Sequence, residues 1–448
     1  MPLKKIFKIK TKNRNIKTKI PAPGTKKLIT SLSKIESRSM HGQLPIAWSK
    51  AKNFNIYDLA GNKFIDFTST IFVTNIGHSN PRLIRYLKLA LKKELIHTYA
   101  YINNIREKYL KKLLNFAGKN FNKAFLMSSG TEATEAAFKL MRMNGQKIKK
   151  KKLGIICFDG NWHGRTMAAQ MMSGNPQQKE WIGFKDPNIH HIPFPYPWIV
   201  NEKNAEFFLK KSLSKLSKKI NLKKDICGIM VETFQGWGAL YYPKKYIQLL
   251  KKFCKSNNIL LTFDEMQAGF ARTGFAFGYE YYGVKPDLIC CGKGMGGGIA
   301  LSGVIGKKKI MDLPEVGNMS STNSANPLAC YAGLAVIEEI EKKNLVKCSY
   351  DKGKLLFLEL NKIKDNYPKF ILGAYGHGLV ASLIFKTDKR KNISNDLKKI
   401  VEECIKQGLL LVYTGRESIK LGPPLTITNS AIIESMKILD RAIKKILK

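Results

Sequence analysis

Short apolar runs alternate with amphipathic segments through the middle of the chain, and this pattern predicts a sheet covered by helices. The candidate strands are almost wholly apolar: 124–127, 154–158, 226–231, 259–263, 287–290 and 302–305. Segments with apolar side chains at helical spacing separate them: 131–143, 203–219, 244–256 and 326–342. Because continuous apolar runs are typical of strands buried on both faces, we expect a mainly parallel sheet in an α/β domain.

The two ends of the chain follow other patterns. Residues 56–67 read as a hairpin around an Ala60-Gly61-Asn62 turn, and 81–117 is helical in period. Beyond residue 346 the chain predicts amphipathic helices at 395–407 and 431–447 and short strands at 378–384, 409–413 and 418–421. This mixture predicts a second, smaller α+β domain.

These patterns divide the 448 residues into four parts. We expect a basic, loosely ordered tail, an N-terminal segment that contributes to the small domain, a large domain and a C-terminal small domain: 1–30, 31–80, 81–340 and 341–448. The tail has no apolar stretch of the kind that a secretory signal requires, and no apolar run of the chain reaches membrane-spanning length. The eight cysteines are scattered without a CxxC pair, which favours a reducing, cytoplasmic location.

The charge allows two interpretations. Lys plus Arg number 77 against 33 acidic residues, a net charge of +44, which is typical of a polyanion-binding protein. However, only 11 of the 77 are Arg, the residue best suited to bidentate phosphate and guanine contacts, and no nucleic-acid motif is present. We therefore interpret the charge as a compositional bias toward lysine, with no specific nucleic acid and no membrane as partner.

One lysine stands out because it lies among glycines directly after an apolar strand. Lys293 follows Cys290-Cys291-Gly292, and Asp264 ends the preceding strand 29 residues earlier. A lysine in that position can form a Schiff base with an aldehyde, and a carboxylate can keep a pyridine nitrogen protonated. This pairing is what pyridoxal 5'-phosphate requires of a protein.

Three further runs leave predicted strands at points where a ligand could bind. Ser128-Ser129-Gly130-Thr131-Glu132 opens a helix, so its amides could face a phosphate or form only an N-cap. In Phe158–Thr166, Trp162 could lie on a pyridine ring, and Arg165 suits a substrate carboxylate. His163 in the same run fits a structural hydrogen bond or chemistry equally well. The run 231–238 ends another strand, where open α/β sheets bind ligands.

Together these runs resemble the class-III (ω-amino acid) aminotransferases, which are fold-type-I pyridoxal phosphate enzymes. The resemblance extends over about residues 45–430 and rests on motifs in the family's order: DFTSTIFVTNIGHSNP, SSGTEATEAAFKL, FDGNWHGRT, VETFQGWG, FDEMQAGFARTG, CGKGMGGG, SSTNSANPLA and IKLGPPLTI. It implies transamination between an amine and a keto acid such as 2-oxoglutarate or pyruvate. It also implies that residues 81–340 bind the cofactor.

The resemblance implies a role for each matching residue of the cofactor site. Lys293 is the Schiff-base lysine and proton shuttle, and Asp264 pairs with the ring nitrogen. The other implied cofactor contacts are a phenolic-oxygen contact, ring stacking and phosphate binding: Gln267, Trp162, and Gly130 with Thr131. Thr322 is implied to reach the phosphate of a neighbouring subunit, so the implied active unit is a homodimer with sites shared across the interface.

The substrate residues agree only in part with the family pattern. Ile71 and Arg165 match the 4-aminobutyrate members, as an apolar wall and as the group that holds the distal carboxylate. Trp237 and Lys420 occupy positions where many members have a Glu and an Arg that switch between amine and glutamate. Lys420 can bind a carboxylate as a point charge, without the fork of an arginine. The sequence therefore predicts a 4-aminobutyrate-like ω-amino acid.

Other interpretations stay open at this point. A different amine, such as ornithine or an amino sugar, suits the same motifs. An aminomutase of the same fold would move an amino group within one molecule and need no second keto acid. A polyanion-binding protein would explain the charge, but it leaves Asp264 and Lys293 without a purpose.

Overall fold

The computed structural model describes residues 8–42, 44–388 and 392–447. These divide into two compact units, one formed by Pro81–Lys347 and the other by Met1–Asn80 together with Cys348–Lys448. No helix within the described ranges is long and apolar enough to cross a membrane.

A seven-stranded sheet forms the centre of the Pro81–Lys347 unit. Its strands, in spatial order, are Lys123–Met127, Ser302–Gly306, Leu288–Cys291, Leu260–Asp264, Ile226–Glu232, Gly154–Phe158 and Ile189–Ile192. Only Ser302–Gly306 runs antiparallel to its neighbours in this described sheet. The six predicted strands and the mainly parallel α/β fold are therefore confirmed. The seventh strand was not predicted, because two histidines interrupt its apolar pattern.

Helices cover this sheet at or near the predicted positions. In this unit the structure has Pro81–Lys92, Asn104–Ala117, Gly130–Ile148, Met167–Met172, Ala205–Ser217, Leu222–Asp225, Lys244–Ser256, Lys308–Met311 and Pro327–Lys342. A single helix over 81–117 was wrong. The chain breaks at Glu94 and Tyr99, which have φ of +53° and +49°, and Asn103 caps a new helix by accepting a hydrogen bond from the Arg106 amide.

The other unit combines two small sheets with helices. One sheet contains Ile9–Lys10, Asn15–Ile16, Lys63–Asp66, Asn55–Asp58 and Trp48–Lys52, with Leu409–Leu410 parallel to Lys63–Asp66. The other contains Ile371–His377, Val380–Phe385, Ser418–Leu421 and Val412–Tyr413. The helices are Thr25–Ile35, Ile393–Lys406 and Asn429–Leu447, and Leu345–Asn366 begins in the first unit. The predicted hairpin over 56–67 is confirmed by the antiparallel pairing of Asn55–Asp58 with Lys63–Asp66.

Two predictions for this unit were wrong. Residues 378–384 form part of a hairpin rather than one strand, because Gly376 and Gly378 take φ of +129° and +61° between its two arms. From residue 8 onward the basic N-terminal segment is ordered, whereas residues 1–7 lie outside the described part. The ordering has a specific cause, since the Arg14 Nε lies 2.6 Å from Glu434 Oε1 and Asn13 donates to the same carboxylate.

Candidate active site

The carboxyl ends of three neighbouring strands meet at one edge of the central sheet. The strand register aligns Asp264 with Glu232 on one side and with Cys290 on the other. Lys293 follows only three residues after Cys290, so it leaves the sheet at the same edge. This edge is where an open α/β sheet binds its ligands.

Asp264 is a buried carboxylate that is held in place by two donors. Its Oδ2 lies 2.9 Å from His163 Nδ1, and its Oδ1 accepts a hydrogen bond from the Met266 amide at 3.0 Å. His163 is itself buried, and its Nε2 has no hydrogen-bond partner among the described residues. The structure therefore gives His163 the positioning role that the sequence left open.

Lys293 begins a short 3-10 turn, Lys293–Met295, with a left-handed backbone. Its φ is +41°, a conformation that few non-glycine residues adopt. Burial lowers the pKa of the Lys293 amine below its usual value, while the nearby carboxylates of Asp264 and Glu232 act to raise the pKa. Burial outweighs the two charges, so the neutral, nucleophilic amine is more populated near neutral pH than in water.

Glu232 connects this lysine to the neighbouring loops. It is buried, and its Oε2 accepts hydrogen bonds from the amides of Trp162 at 3.0 Å and Gly236 at 3.3 Å. A Cβ at Gly236 would lie 2.2 Å from Gln267 Nε2 and 2.8 Å from Glu232 Oε1. Glycine at 236 therefore lets the Gln267 amide approach the backbone beside Glu232.

The start of the Gly130–Ile148 helix is joined to the Phe158–Thr166 run. Ser129 and Glu132 form a capping box, which confirms the N-cap interpretation. Thr131 Oγ1 lies 2.6 Å from Thr166 Oγ1, and the Thr134 hydroxyl donates to the His163 carbonyl at 2.8 Å. The first-turn amides of Gly130 and Thr131 have no acceptor within the helix, as at every helix start, so they are suited to an anion.

Two aromatic residues of the predicted site have defined surroundings. The guanidinium carbon of exposed Arg165 lies 4.5 Å from the ring centre of half-buried Trp162, a cation–π arrangement. The Trp237 indole donates to Gln235 Oε1 at 2.5 Å, and Gln235 donates in turn to the Asp159 carbonyl at 2.7 Å. The orientation of Trp237 is therefore fixed by hydrogen bonds rather than by packing alone.

Thr322 lies in an exposed loop of the same unit. Its carbonyl accepts a hydrogen bond from His97 Nε2 at 2.8 Å, and the Tyr99 hydroxyl donates to Ser320 at 3.3 Å. The helix that follows begins with Asn326 as its cap and Pro327 in its first turn. The loop is thus anchored at both ends while the Thr322 side chain stays exposed.

Ile71 and Lys420 belong to the other compact unit. Ile71 is 44% exposed and lies in the left-handed turn Ser69–Phe72, whose four residues have φ of +46°, +52°, +60° and +67°. Left-handed backbone costs about 1–2 kcal/mol per non-glycine residue. Lys420 is buried in the Ser418–Leu421 strand, and its Nζ lies 4.7 Å from the ring centre of Phe72.

Comparison with known proteins decides the family. The class-III aminotransferase family matches residues 37–443. This chain belongs to the class-III aminotransferases. It is 32% identical to an acetylornithine aminotransferase of Clostridium acetobutylicum over 92% of this chain and 100% of the relative. It is 30% identical to an ornithine aminotransferase of Emericella nidulans over 95% and 91%.

The fold of this class-III aminotransferase is shared with solved structures. An ornithine aminotransferase from Toxoplasma gondii superposes with a TM-score of 0.85 at 23% identity, over 95% of this chain and 96% of that chain. This likeness concerns the fold alone. The α/β, fold-type-I architecture is therefore confirmed, and so are transamination as the reaction and pyridoxal 5'-phosphate as the cofactor.

The described side chains fit that cofactor. Lys293 offers an amine with a lowered pKa, Asp264 a carboxylate held at a fixed position, and the helix start at Gly130 unsatisfied amides. When bound, pyridoxal phosphate supplies an aldehyde and a ring that accepts electrons. The contribution of the chain is to orient the carboxylate, to keep the lysine able to exchange a proton and to bind the phosphate.

Two residues of this site were not identified as site residues from the sequence. His163 and Glu232 were seen in their motifs, but neither was given a defined role. Their position directly after predicted strands was the available signal, since side chains at strand ends face the ligand edge. Their hydrogen bonds depend on the register between strands, which one sequence does not specify.

Proposed function

We propose that this aminotransferase takes the terminal amino group of acetylornithine and transfers it to a keto acid, with 2-oxoglutarate as the first acceptor to test. The observation that carries the proposal is the chain-long similarity to proteins named acetylornithine aminotransferase, at 32% and 34% identity over 92% and 90% of this chain. Ornithine is the second candidate, because one relative is named an ornithine aminotransferase. The 4-aminobutyrate prediction draws no support from these relatives.

The proposed roles in the cofactor site follow the sequence assignments. Lys293 attaches the cofactor and moves the proton at its Nζ, and Asp264 faces the ring nitrogen, held by His163. Gly130 and Thr131 bind the phosphate and Gln267 the phenolic oxygen. The lowered pKa of Lys293 and the 2.9 Å bond between His163 and Asp264 support the first two roles. For Trp162, one face of the ring is already covered by Arg165, which leaves the other face for the cofactor.

The proposed substrate contacts favour an acylated amine. Arg165 is exposed and planar, so it suits a substrate carboxylate. Trp237 is followed by further aromatic rings, with Tyr196 at 6.4 Å and Trp198 stacked on Tyr196 at 4.8 Å. Aromatic surface suits a neutral acetamide better than a carboxylate would, whereas ornithine carries a second positive charge. Ile71 and Lys420 are assigned an apolar wall and a carboxylate contact.

A panel of amines tests this proposal. Purified enzyme loaded with cofactor is mixed with acetylornithine, ornithine, 4-aminobutyrate or glutamate, and the cofactor absorbance is followed. We expect acetylornithine to convert the cofactor to its amine form fastest. Faster conversion by 4-aminobutyrate would contradict the proposal and restore the original prediction. A product that forms without any keto acid would indicate an aminomutase instead.

We also propose a homodimer as the active unit. A run of exposed apolar side chains precedes the anchored Thr322 loop: Ile84, Leu89, Leu91, Leu95, Ile96 and Ile102. Such a patch is typical of an interface between subunits. Light scattering should give twice the 50.6 kDa of one chain, and a monomer that is fully active would contradict the proposal. A cytoplasmic location stays a prediction from the cysteines.

A further inference from the structure

The left-handed turn Ser69–Phe72 is held by hydrogen bonds at both ends. Asp66 accepts from the Thr68 amide and hydroxyl, both at 2.7 Å, and from the Ser69 amide at 3.1 Å. Its other contact is the His78 Nε2, 2.7 Å away. Four consecutive non-glycine residues with positive φ persist only where their surroundings enforce them. Strain of this kind is concentrated at functional positions, so the purpose of the turn needs an explanation.

The turn is also tied directly to the segment that carries Lys420. The Ser69 hydroxyl donates to the Gly422 carbonyl at 2.6 Å, and the Gly422 amide donates to the Phe67 carbonyl at 2.8 Å. A Cβ at Gly422 would lie 1.8 Å from a carbon of the Phe72 ring. Glycine at 422 is therefore required for the ring of Phe72 to occupy its place.

The result is a buried ammonium over an aromatic face. Phe72 is 1% exposed and Lys420 is 5% exposed, and the Lys420 Nζ is 4.7 Å from the ring centre. Cation–π attraction is strongest where both groups are removed from water. Lysine has a flexible stem and no planar fork, so without such a contact its charge would have no fixed position.

We propose that Phe72 is a positioning residue for Lys420, and that its ring holds the ammonium at one point where it receives a carboxylate of a dicarboxylic substrate. This rests on the proposed function, in which Lys420 contacts a substrate carboxylate. The aromatic face fixes one side of the ammonium and leaves its remaining N–H groups to the carboxylate. The ring and the lysine together then do what the planar guanidinium of an arginine does alone.

Glutarate binding to the loaded enzyme tests the proposal, because glutarate is a dicarboxylate without an amino or keto group. Its dissociation constant is measured by calorimetry for wild type and for Phe72→Leu, Phe72→Tyr, Lys420→Met and the Leu–Met double variant. We expect Phe72→Leu to weaken binding about tenfold. Phe72→Tyr keeps the ring face and should bind as wild type does. In the Lys420→Met background, Phe72→Leu should have no further effect.

The outcomes separate this inference from the function on which it rests. If Lys420→Met leaves glutarate affinity unchanged, the carboxylate role of Lys420 fails. If Lys420→Met weakens binding but Phe72→Leu does not, or if Phe72→Leu tightens binding, the positioning role fails. An equal loss with and without Lys420 would mean that Phe72 acts only through the fold. Should the Leu variant not fold, Phe72→Met and Gly422→Ala, which displaces the ring, are expected to weaken binding in the same way.

Discussion

Two lysines of the Pro81–Lys347 unit have the same perturbation and opposite surroundings. Burial lowers the pKa of both Lys179 and Lys293. The Lys179 amine donates to the carbonyls of Met171 at 3.0 Å and Ser173 at 2.6 Å, and it lies 3.4 Å from His191 Nε2. Within the described part of the chain, the Lys293 amine makes no hydrogen bond and has only carboxylates within electrostatic reach.

The difference teaches which property marks a reactive lysine. A lowered pKa alone does not, since Lys179 shares it. Cavity size does not either, because a cavity of about 540 Å³ adjoins Lys179. All three donors of Lys179 have acceptors, at the end of the Met167–Met172 helix, so its role is structural. Lys293 keeps its donors and its lone pair for another molecule.

The largest effect that can break this comparison is on activity. We expect Lys293→Ala to lower the rate of amine transfer by roughly 10³-fold, because the group that moves the proton is lost. The cofactor absorbance typical of attachment to lysine should also disappear. Measurement is by spectrum and single-turnover kinetics with acetylornithine. Normal turnover in this variant would overturn the role of Lys293.

The matching change at the other lysine should affect stability instead. Lys179→Met leaves two buried carbonyls without a donor, so we expect the free energy of unfolding to fall by about 2 kcal/mol. The denaturation midpoint measures this, and cofactor attachment should be unchanged. Lys185→Met is the control, since Lys185 is an exposed lysine that lines the same cavity. Loss of cofactor attachment in Lys179→Met but not in Lys185→Met would remove the distinction.

A smaller effect should sharpen the electrostatic half of the comparison. The Glu232 carboxylate acts to raise the pKa of Lys293, so Glu232→Gln should lower that pKa further. In enzyme freed of cofactor, the rate of cofactor attachment should rise with pH as Lys293 loses its proton. The variant should show this rise at a pH lower by up to about one unit. Glu107→Gln, on the surface, should match wild type, and a shift to higher pH in Glu232→Gln would contradict the argument.

Much of this architecture could be predicted from the sequence because it depends on local pattern. Apolar runs located the strands, and the placement of Asp264 and Lys293 after two of them indicated the cofactor. The left-handed turn could not be predicted, since Ser-Thr-Ile-Phe contains no glycine and its strain is imposed by Asp66 and Gly422 far along the chain. The amine was assigned to the 4-aminobutyrate type from Ile71 and Arg165, residues that only fix a carboxylate and a wall.

The thiols of this enzyme have a practical consequence. All eight cysteines remain as thiols, and every one except Cys348 is buried. Burial raises the pKa of the Cys157, Cys254 and Cys404 thiols, which keeps them protonated and unreactive. A maleimide dye added to the native protein should therefore attach at residue 348 first. The natural sequence already offers one labelling position for fluorescence work, with no cysteine removed.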